Sequence, residues 1–421
     1  MTTPAIELYD PDVYAASVPH EAMRWLRDNA PVYWHAHPDG GGFWIISRHA
    51  DVVAVSRDHK TFSAERGFVM VDELPPEILA ETRNQLLGMD PPRHAPLRRI
   101  VIERFTQRML EQLEPRVREI TRGILASARA RGECDFVYDI AGQLPTAVIC
   151  SMMGVPEPMW EQIREWSDHS TSATDPDIGC SPEQQRQSSL DMGMYGYSLA
   201  AERKGKGGDD LISLLTNVEV DGHTVTEAEF ASLFVQITVA GNETTRAMIS
   251  TGMHELLQRP ALLAELRANP AALPMAIEEM LRWSSPLHHF RRTATRDTEL
   301  HGQTIREGER VLMLYTSANF DERVFREPMS FDIRRSPNPH LAFGHGIHLC
   351  LGANLARLEA RVFFEELFRA FAGIEETAAP ARIRSNLVNG FKRMPVRLLA
   401  QADADAGGEH VAGELGLQYP P

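Results

Sequence analysis

Ten consecutive residues constrain this chain more than its length or composition does: Phe343-Gly344-His345-Gly346-Ile347-His348-Leu349-Cys350-Leu351-Gly352. Gly344 and Gly346 permit tight turns that leave backbone N–H groups aimed at one point, here the sulfur. Leu351, Leu355, Leu358 and Val362 recur at helical spacing, which predicts a helix starting at the cysteine. A thiol at a helix N-terminus feels the positive end of the dipole, so its pKa is expected to fall. A lone cysteine is usually a small buried hydrophobe. A cysteine framed by Phe, two glycines, His and Gly at these offsets is instead read as a thiolate placed to ligate a metal.

The rest of the composition narrows the context. Against 43 Lys+Arg stand 58 Asp+Glu, a formal charge of −15, which argues against a nucleic-acid binder. Cys134, Cys150 and Cys180 lie at long, irregular spacings with no CxxC pair for zinc or redox work. Residues 1–7 show neither the basic nor the apolar region of a secretory signal. No run of about 18 apolar residues predicts a membrane span. The expected location is the cytoplasm, with reduced thiols.

Along the chain, Gly42–Ile46 reads as a strand after the turn Asp39-Gly40-Gly41. From about residue 95 to 290 the pattern is mostly helical, broken at Gly154-Val155-Pro156 and at Gly205–Gly208. Short strands are expected from 290 to 315 around the turn His301-Gly302, and a polar, frayed tail from Gln401. The fold class is α+β, mostly helical, with a small sheet near the N-terminus. A long helix is expected from Thr226, capped by Glu229, to about Arg259, where Pro260 ends it. At its middle lies Ala240-Gly241-Asn242-Glu243-Thr244-Thr245. A mid-helix Gly is unfavourable by about 0.5–1 kcal/mol relative to Ala. Thr244 is placed to bond back to the Ala240 carbonyl.

The cysteine segment resembles the haem-binding loop of the cytochrome P450 family, F-G-x-G-x-[HR]-x-C-x-G, and every defined position matches. The resemblance covers roughly residues 10 to 400. It implies one cytochrome P450-like domain over 1–400, although length alone suggests two or three. It also implies haem b (iron-protoporphyrin IX) with Cys350 as metal ligand and Phe343 and Gly352 beside it. A thiolate ligand pushes electron density onto the iron and favours O–O cleavage. Residues 240–245 resemble the family's oxygen-binding groove, with Ala240 and Gly241 against the cofactor and Glu243 and Thr244 as the catalytic acid–alcohol pair. Proton delivery there needs a hydroxyl near the oxygen and a carboxyl linked to solvent. Glu279 and Arg282 resemble the E-x-x-R motif, a structural brace outside catalysis.

Buried propionates need cationic or donor partners. The resemblance assigns them His94, Arg98, Arg292 and His348; Arg291 competes with Arg292, which is preferred from its spacing to Thr295 and Asp297. It puts Phe68, Val69, Met70 and Leu87 in a pocket roof over residues 67 to 89. Val235, Val239 and Ala240 line the pocket from the long helix, and Leu287, His288 and Phe290 precede Arg292. Val388 and Phe391 close a far corner. His288 and His289 read either as a solvated loop or, for His288, as a contact to a polar group on the substrate.

The function implied is that of a monooxygenase that hydroxylates a hydrophobic small molecule with O2. The segments 317–322 and 389–393 are similar to those of bacterial members acting on terpenoids, steroid side chains and branched lipids. The alternatives are a peroxide-driven peroxygenase, disfavoured by an intact acid–alcohol pair, and a haem gas sensor, disfavoured by the lack of a signalling segment. Electrons would come from a ferredoxin and ferredoxin reductase. Residues 93–108 carry Arg93, Arg98, Arg99, Arg104 and Arg108 against Glu103 alone. The resemblance puts this stretch at the cysteine side of the haem, where an acidic ferredoxin docks. Arg104 and Arg108, four apart, are expected on one helix face.

Overall fold

Thr226 and Glu229 start the element around which the rest is built. The Thr226 hydroxyl accepts the Glu229 N–H at 3.2 Å, and the Glu229 carboxylate takes the Thr226 N–H at 3.1 Å. This reciprocal cap opens the helix Glu227–Leu257 in a computed structural model that describes residues 5–171, 175–178, 180–220 and 222–400. Pro260 opens the next helix, Pro260–Ala268, instead of extending this one. Phe230, Leu233 and Phe234 are buried in the main core. That core is shared with the helices Gln143–Met153, Trp160–Thr171, Pro182–Arg203, Leu273–Ser284 and Ala353–Ala370. Gly154, at φ 73°, ends the helix before the expected break, and Gly205, at φ 74°, turns the other. The stretch Phe136–Met153 has a mean hydropathy of 1.2 over 18 residues, but 72% of it is buried inside the fold.

The main sheet draws on both ends of the chain. Its strand order is Val32–Ala36, Gly42–Ile46, Arg310–Leu314, His289–Ala294, Phe62–Ser63. The sheet expected near the N-terminus is therefore completed by strands from the last third. Arg310 pairs in parallel with Phe43, and Val311 pairs antiparallel with Arg292. His301 (φ 50°) and Gly302 (φ 73°) turn the hairpin between Thr298–Leu300 and Gln303–Ile305, as expected.

Two local expectations fail. The helix after the cysteine begins at Ala353, with Gly352 as its cap, so Cys350 precedes the helix. Leu355, Leu358 and Val362 do form its buried face. Arg104 and Arg108 do not share a helix face. Arg104 lies in the short turn Glu103–Phe105, Arg108 in the helix Gln107–Arg131, and Thr106 between them is extended at φ −70°, ψ 153°. The tail from residue 401 lies outside the described residues.

Candidate active site

The cysteine loop is closed by its own backbone. The Cys350 N–H donates to the Phe343 carbonyl at 2.9 Å, and the Leu349 N–H to the Gly346 carbonyl at 3.1 Å. Gly344 and Gly346 take φ of 69° and 74°, where glycine alone is unstrained. A Cβ on Gly346 would also collide with the Ser56 carbonyl, so the loop rests against the end of the helix His49–Arg57. Arg57 Nε donates to His345 Nε2 at 2.9 Å on that seam.

Cys350 is exposed by surface area, yet the protein crowded around it pushes its thiol up. A residue both open and crowded lies in a recess. The Gly352 N–H and the charges of Arg98 and Arg357 pull the thiol the other way. The expected fall is therefore outweighed by burial, and the donor toward sulfur is Gly352 rather than the two turn glycines.

Beside the cysteine gathers a set of donors that, among the described residues, has no carboxylate within ion-pair distance. Arg98 Nη2 donates to the Leu349 carbonyl at 2.6 Å, and the His94 and His348 rings lie 4.7 Å apart. Arg292 is 3% exposed, and its guanidinium donates to the neighbouring Arg291 carbonyl at 2.8 Å. Among the described residues, neither Arg98 nor Arg292 has a carboxylate partner within ion-pair distance. His94 Nε2 and His348 Nε2 are buried without partners. Burial, then the Arg98 charge, lowers His94 to about 4; burial, then Arg292, lowers His348 well below its ordinary range. Buried cations and orphaned ring nitrogens around one recess fit a bound dianion such as the two propionates of a haem. His59, whose charge also bears on His94 and His348, belongs to the same cluster and escaped sequence reading.

The middle of the long helix opens where the rest of it is packed. Ala240 is exposed and Gly241 and Thr244 are half-buried, while Asn242, Glu243 and Thr245 are buried. Thr244 Oγ1 donates back to the Ala240 carbonyl at 2.9 Å, as its spacing predicts. A Cβ on Gly241 would find Ile149 at an ordinary 3.7 Å, so packing alone does not demand glycine there. Glu243 departs from expectation. Its side chain is 3% exposed and hydrogen-bonded to Arg246, which also donates to Asp168 at 2.9 Å. Burial pushes the Glu243 carboxyl up, Arg246 opposes this, and Oε1 keeps no partner. The link from Glu243 outward thus runs through Arg246 to the 17%-exposed Asp168.

The brace lies inside the core. Glu279 and Arg282 are both 0% exposed and joined by two bonds of 2.8 Å. Arg335, unseen in the sequence, adds a third member at 3.0 Å from Glu279. Arg282 also donates to the carbonyls of Asn319 and Pro328, both at 3.0 Å.

The pocket candidates divide. Phe68, Met70, Leu87, Val235, Val239, Leu287 and Phe290 are half-buried. Val69 and Val388 are each 3% exposed and packed. Phe391 belongs to the main core, its ring 5.2 Å from that of His254. His288 is 0% exposed, its Nδ1 bonded to the Thr316 hydroxyl at 2.8 Å and its ring 4.3 Å from Tyr14. It is therefore not a solvated loop residue.

The chain is 38% identical over 400 residues to the steroid C26-monooxygenase of Rhodococcus jostii, covering 92% of this chain and 83% of that protein. Residues 183–386 match the sequence model of the family described as Cytochrome P450. The chain belongs to the cytochrome P450 family. This P450 is also 38% identical over 404 residues to the methyl-branched lipid omega-hydroxylase of Mycobacterium tuberculosis, covering 93% of this chain and 94% of that one. Its fold superposes with a TM-score of 0.88 on a Mycobacterium marinum cytochrome P450 solved in complex with pseudoionone, at 38% identity, covering 94% of this chain and 99% of that one. A Bacillus megaterium P450 in complex with testosterone superposes at 0.79, with 30% identity and 90% and 99% coverage. The protein is thus a P450 monooxygenase with a haem-thiolate cofactor.

Proposed function

We propose that this P450 hydroxylates a steroid side chain, a branched lipid or a terpenoid, using haem b, O2 and electrons relayed from a ferredoxin reductase through a ferredoxin in the cytoplasm. The observation that carries the reading is the recess holding Cys350 beside four donors with no carboxylate in ion-pair distance among the described residues: His94, Arg98, Arg292 and His348. Cys350 Sγ would ligate the iron and those four would take the propionates, with Phe343, Gly352, Ala240 and Gly241 along the cofactor's faces. A core shared from Leu86 to Leu398 supports one domain over residues 1–400.

When bound, the haem supplies an iron centre at which O2 is activated for C–H hydroxylation. The chain supplies the protons and the place. Thr244 parks its hydroxyl proton on the Ala240 carbonyl, which leaves oxygen lone pairs free at the opened part of the long helix. Glu243 Oε1, buried and unpartnered, is the atom through which a proton replaces the one Thr244 passes on. Arg246 and Asp168 hold that carboxyl in place. The mostly apolar, half-buried set of Phe68, Met70, Leu87, Val235, Val239, Leu287 and Phe290 suits a hydrophobic guest. The relatives' action on steroids and methyl-branched lipids favours the same class.

A screen of cholesterol, phytanic acid and farnesol for the ferric low-to-high-spin shift tests the substrate class. A shift with one of them is expected, followed by hydroxylation with NAD(P)H and a surrogate ferredoxin system. Turnover with hydrogen peroxide alone, and none with the reductase system, would overturn the oxygenase reading.

A further inference from the structure

Two adjacent arginines on the strand His289–Ala294 go to opposite sides of the sheet. Arg292 pairs with Val311, whose side chain packs in the cluster of Val52, Val55 and Leu341, toward the cysteine loop. Arg291 pairs with Leu312, which packs with Phe43, Ile45 and Val71 on the other face. Arg291 is 1% exposed, one of the largest side chains buried so completely. The proposed cofactor cradle makes no use of its side chain.

What Arg291 grips is the irregular segment 67–73. Its backbone N–H donates to the Val69 carbonyl at 2.9 Å. Its guanidinium donates to the carbonyls of Val71 and Asp72, at 3.4 and 3.3 Å, and to the Glu73 carboxylate at 2.8 Å. A Cβ on Gly67 would lie 2.6 Å from Arg291 Cζ and 2.7 Å from Thr293 Oγ1, so the Gly67 backbone lies against the guanidinium. Arg310 assists, donating to the Val71 carbonyl at 3.3 Å. Backbone carbonyls in an irregular segment have no ladder to satisfy them, and here buried donors do so. Between the gripped positions sit Phe68, at φ 61°, and Met70, both half-buried. A segment held at 67, 69, 71, 72 and 73 has little freedom left for the side chains at 68 and 70.

We propose that Arg291 is a positioning residue for the substrate, fixing the 67–73 segment and thereby where Phe68 and Met70 meet the guest. The proposal rests on the reading of residues 67 to 89 as the pocket roof. A planar guanidinium spreads its donors across a wide rigid fork where an ammonium gathers three at one point, so lysine is not an equivalent. Arg291→Lys therefore keeps the charge and loosens the segment.

The test compares Arg291→Lys, Gly67→Ala and Glu73→Gln with wild type as holoenzymes. Gly67→Ala pushes the guanidinium away without altering it, and Glu73 is on the surface, so that variant folds even if Arg291→Lys does not. Whichever of cholesterol, phytanic acid or farnesol shifts the wild-type spin state is titrated, with imidazole as the small comparison ligand. Expected are a rise in the Kd of the large probe on the order of tenfold in Arg291→Lys and Gly67→Ala, a smaller rise in Glu73→Gln, and a broader set of hydroxylated positions. Imidazole affinity and the ferrous–CO spectrum should stay unchanged, which general loss of structure would not allow. Phe68→Ala and Met70→Ala separate the two readings. If these alter large-probe binding while the other three do not, the clamp is wrong and the roof stands. If they leave it unaltered, the roof reading falls and the proposal with it.

Discussion

The carboxylate of Glu243 is closed onto the guanidinium of Arg246, one turn further along the same helix, and Arg246 is shared with Asp168 from another. Both members of the first pair are almost fully buried. Removing Arg246 strands the Glu243 carboxylate, and stranding a buried charge costs about 3–5 kcal/mol. Arg246→Leu should therefore destabilise strongly, while Glu243→Gln/Arg246→Leu together should recover part of the loss; denaturant unfolding of the three variants measures this. Glu243→Gln alone should lower product formation by about 10²-fold with substrate binding retained. Equal losses in both single variants, with no recovery in the double, would show that the pair is not coupled.

Thr244→Ala should still bind substrate and still consume NAD(P)H. Its hydroxyl faces the opened part of the helix, whereas Thr245 is buried. Reducing equivalents should then appear mainly as hydrogen peroxide or water rather than product. Peroxide and product quantified per NAD(P)H, with Thr245→Ala as control, check the assignment.

Cys350→Ser should lose haem or lose the red-shifted ferrous–CO Soret band. Cys134, Cys150 and Cys180 serve as controls. Burial pushes Cys150 up to about 12, too high for a ready thiolate. Retention of the band in the Ser variant would move the ligand elsewhere.

Glu278 gives a pH dependence with a definite sign. Burial alone would raise its carboxyl, but Arg357, bonded at 2.6 and 2.8 Å, and His340 hold it down at about 2. A depressed carboxylate stabilises the fold above its ordinary value near 4.5, and that contribution is lost as pH falls toward about 2. Glu278→Gln should melt a few degrees below wild type at neutral pH, and the two curves should converge on acidification. Melting followed by far-UV circular dichroism from pH 7 downward shows whether they do.

Electron delivery should depend on Arg108 more than on its sequence neighbours. Arg98 is committed to the Leu349 carbonyl and Arg93 reaches Glu229. Arg108 is exposed near the start of its helix. Arg108→Glu should slow reduction by ferredoxin about tenfold at low ionic strength, where screening is weak, and leave dithionite reduction unchanged. Stopped-flow rates across a salt series decide it.

What could be read from the sequence was what local chemistry writes there. The Thr226–Glu229 cap, the back-bonded Thr244 and the Glu279–Arg282 pair all join residues within one turn, so spacing alone exposes them. Arg246–Asp168 and Glu279–Arg335 join residues 78 and 56 apart, and no local pattern marks such partners. The start of the helix at Ala353 was missed because Leu351 fits the apolar period by chance, while the cysteine's own hydrogen bond to Phe343 keeps it out of the helix. Arg291 and Arg292 look interchangeable as letters. Spacing to Thr295 and Asp297 favoured Arg292, and strand alternation, seen once Val311 and Leu312 are paired to them, gives each a side.

The parallel pairing of Phe43 with Arg310 sets a clock on assembly. At roughly 5–20 residues per second on the ribosome, the first strand waits ~15 to 50 s for its partner to be made. Until then the N-terminal hairpin exposes an unpaired edge. The proposed cofactor cradle, which draws on His94, Arg98, Arg292, His348 and Cys350, can therefore close only long after the first strand has been made.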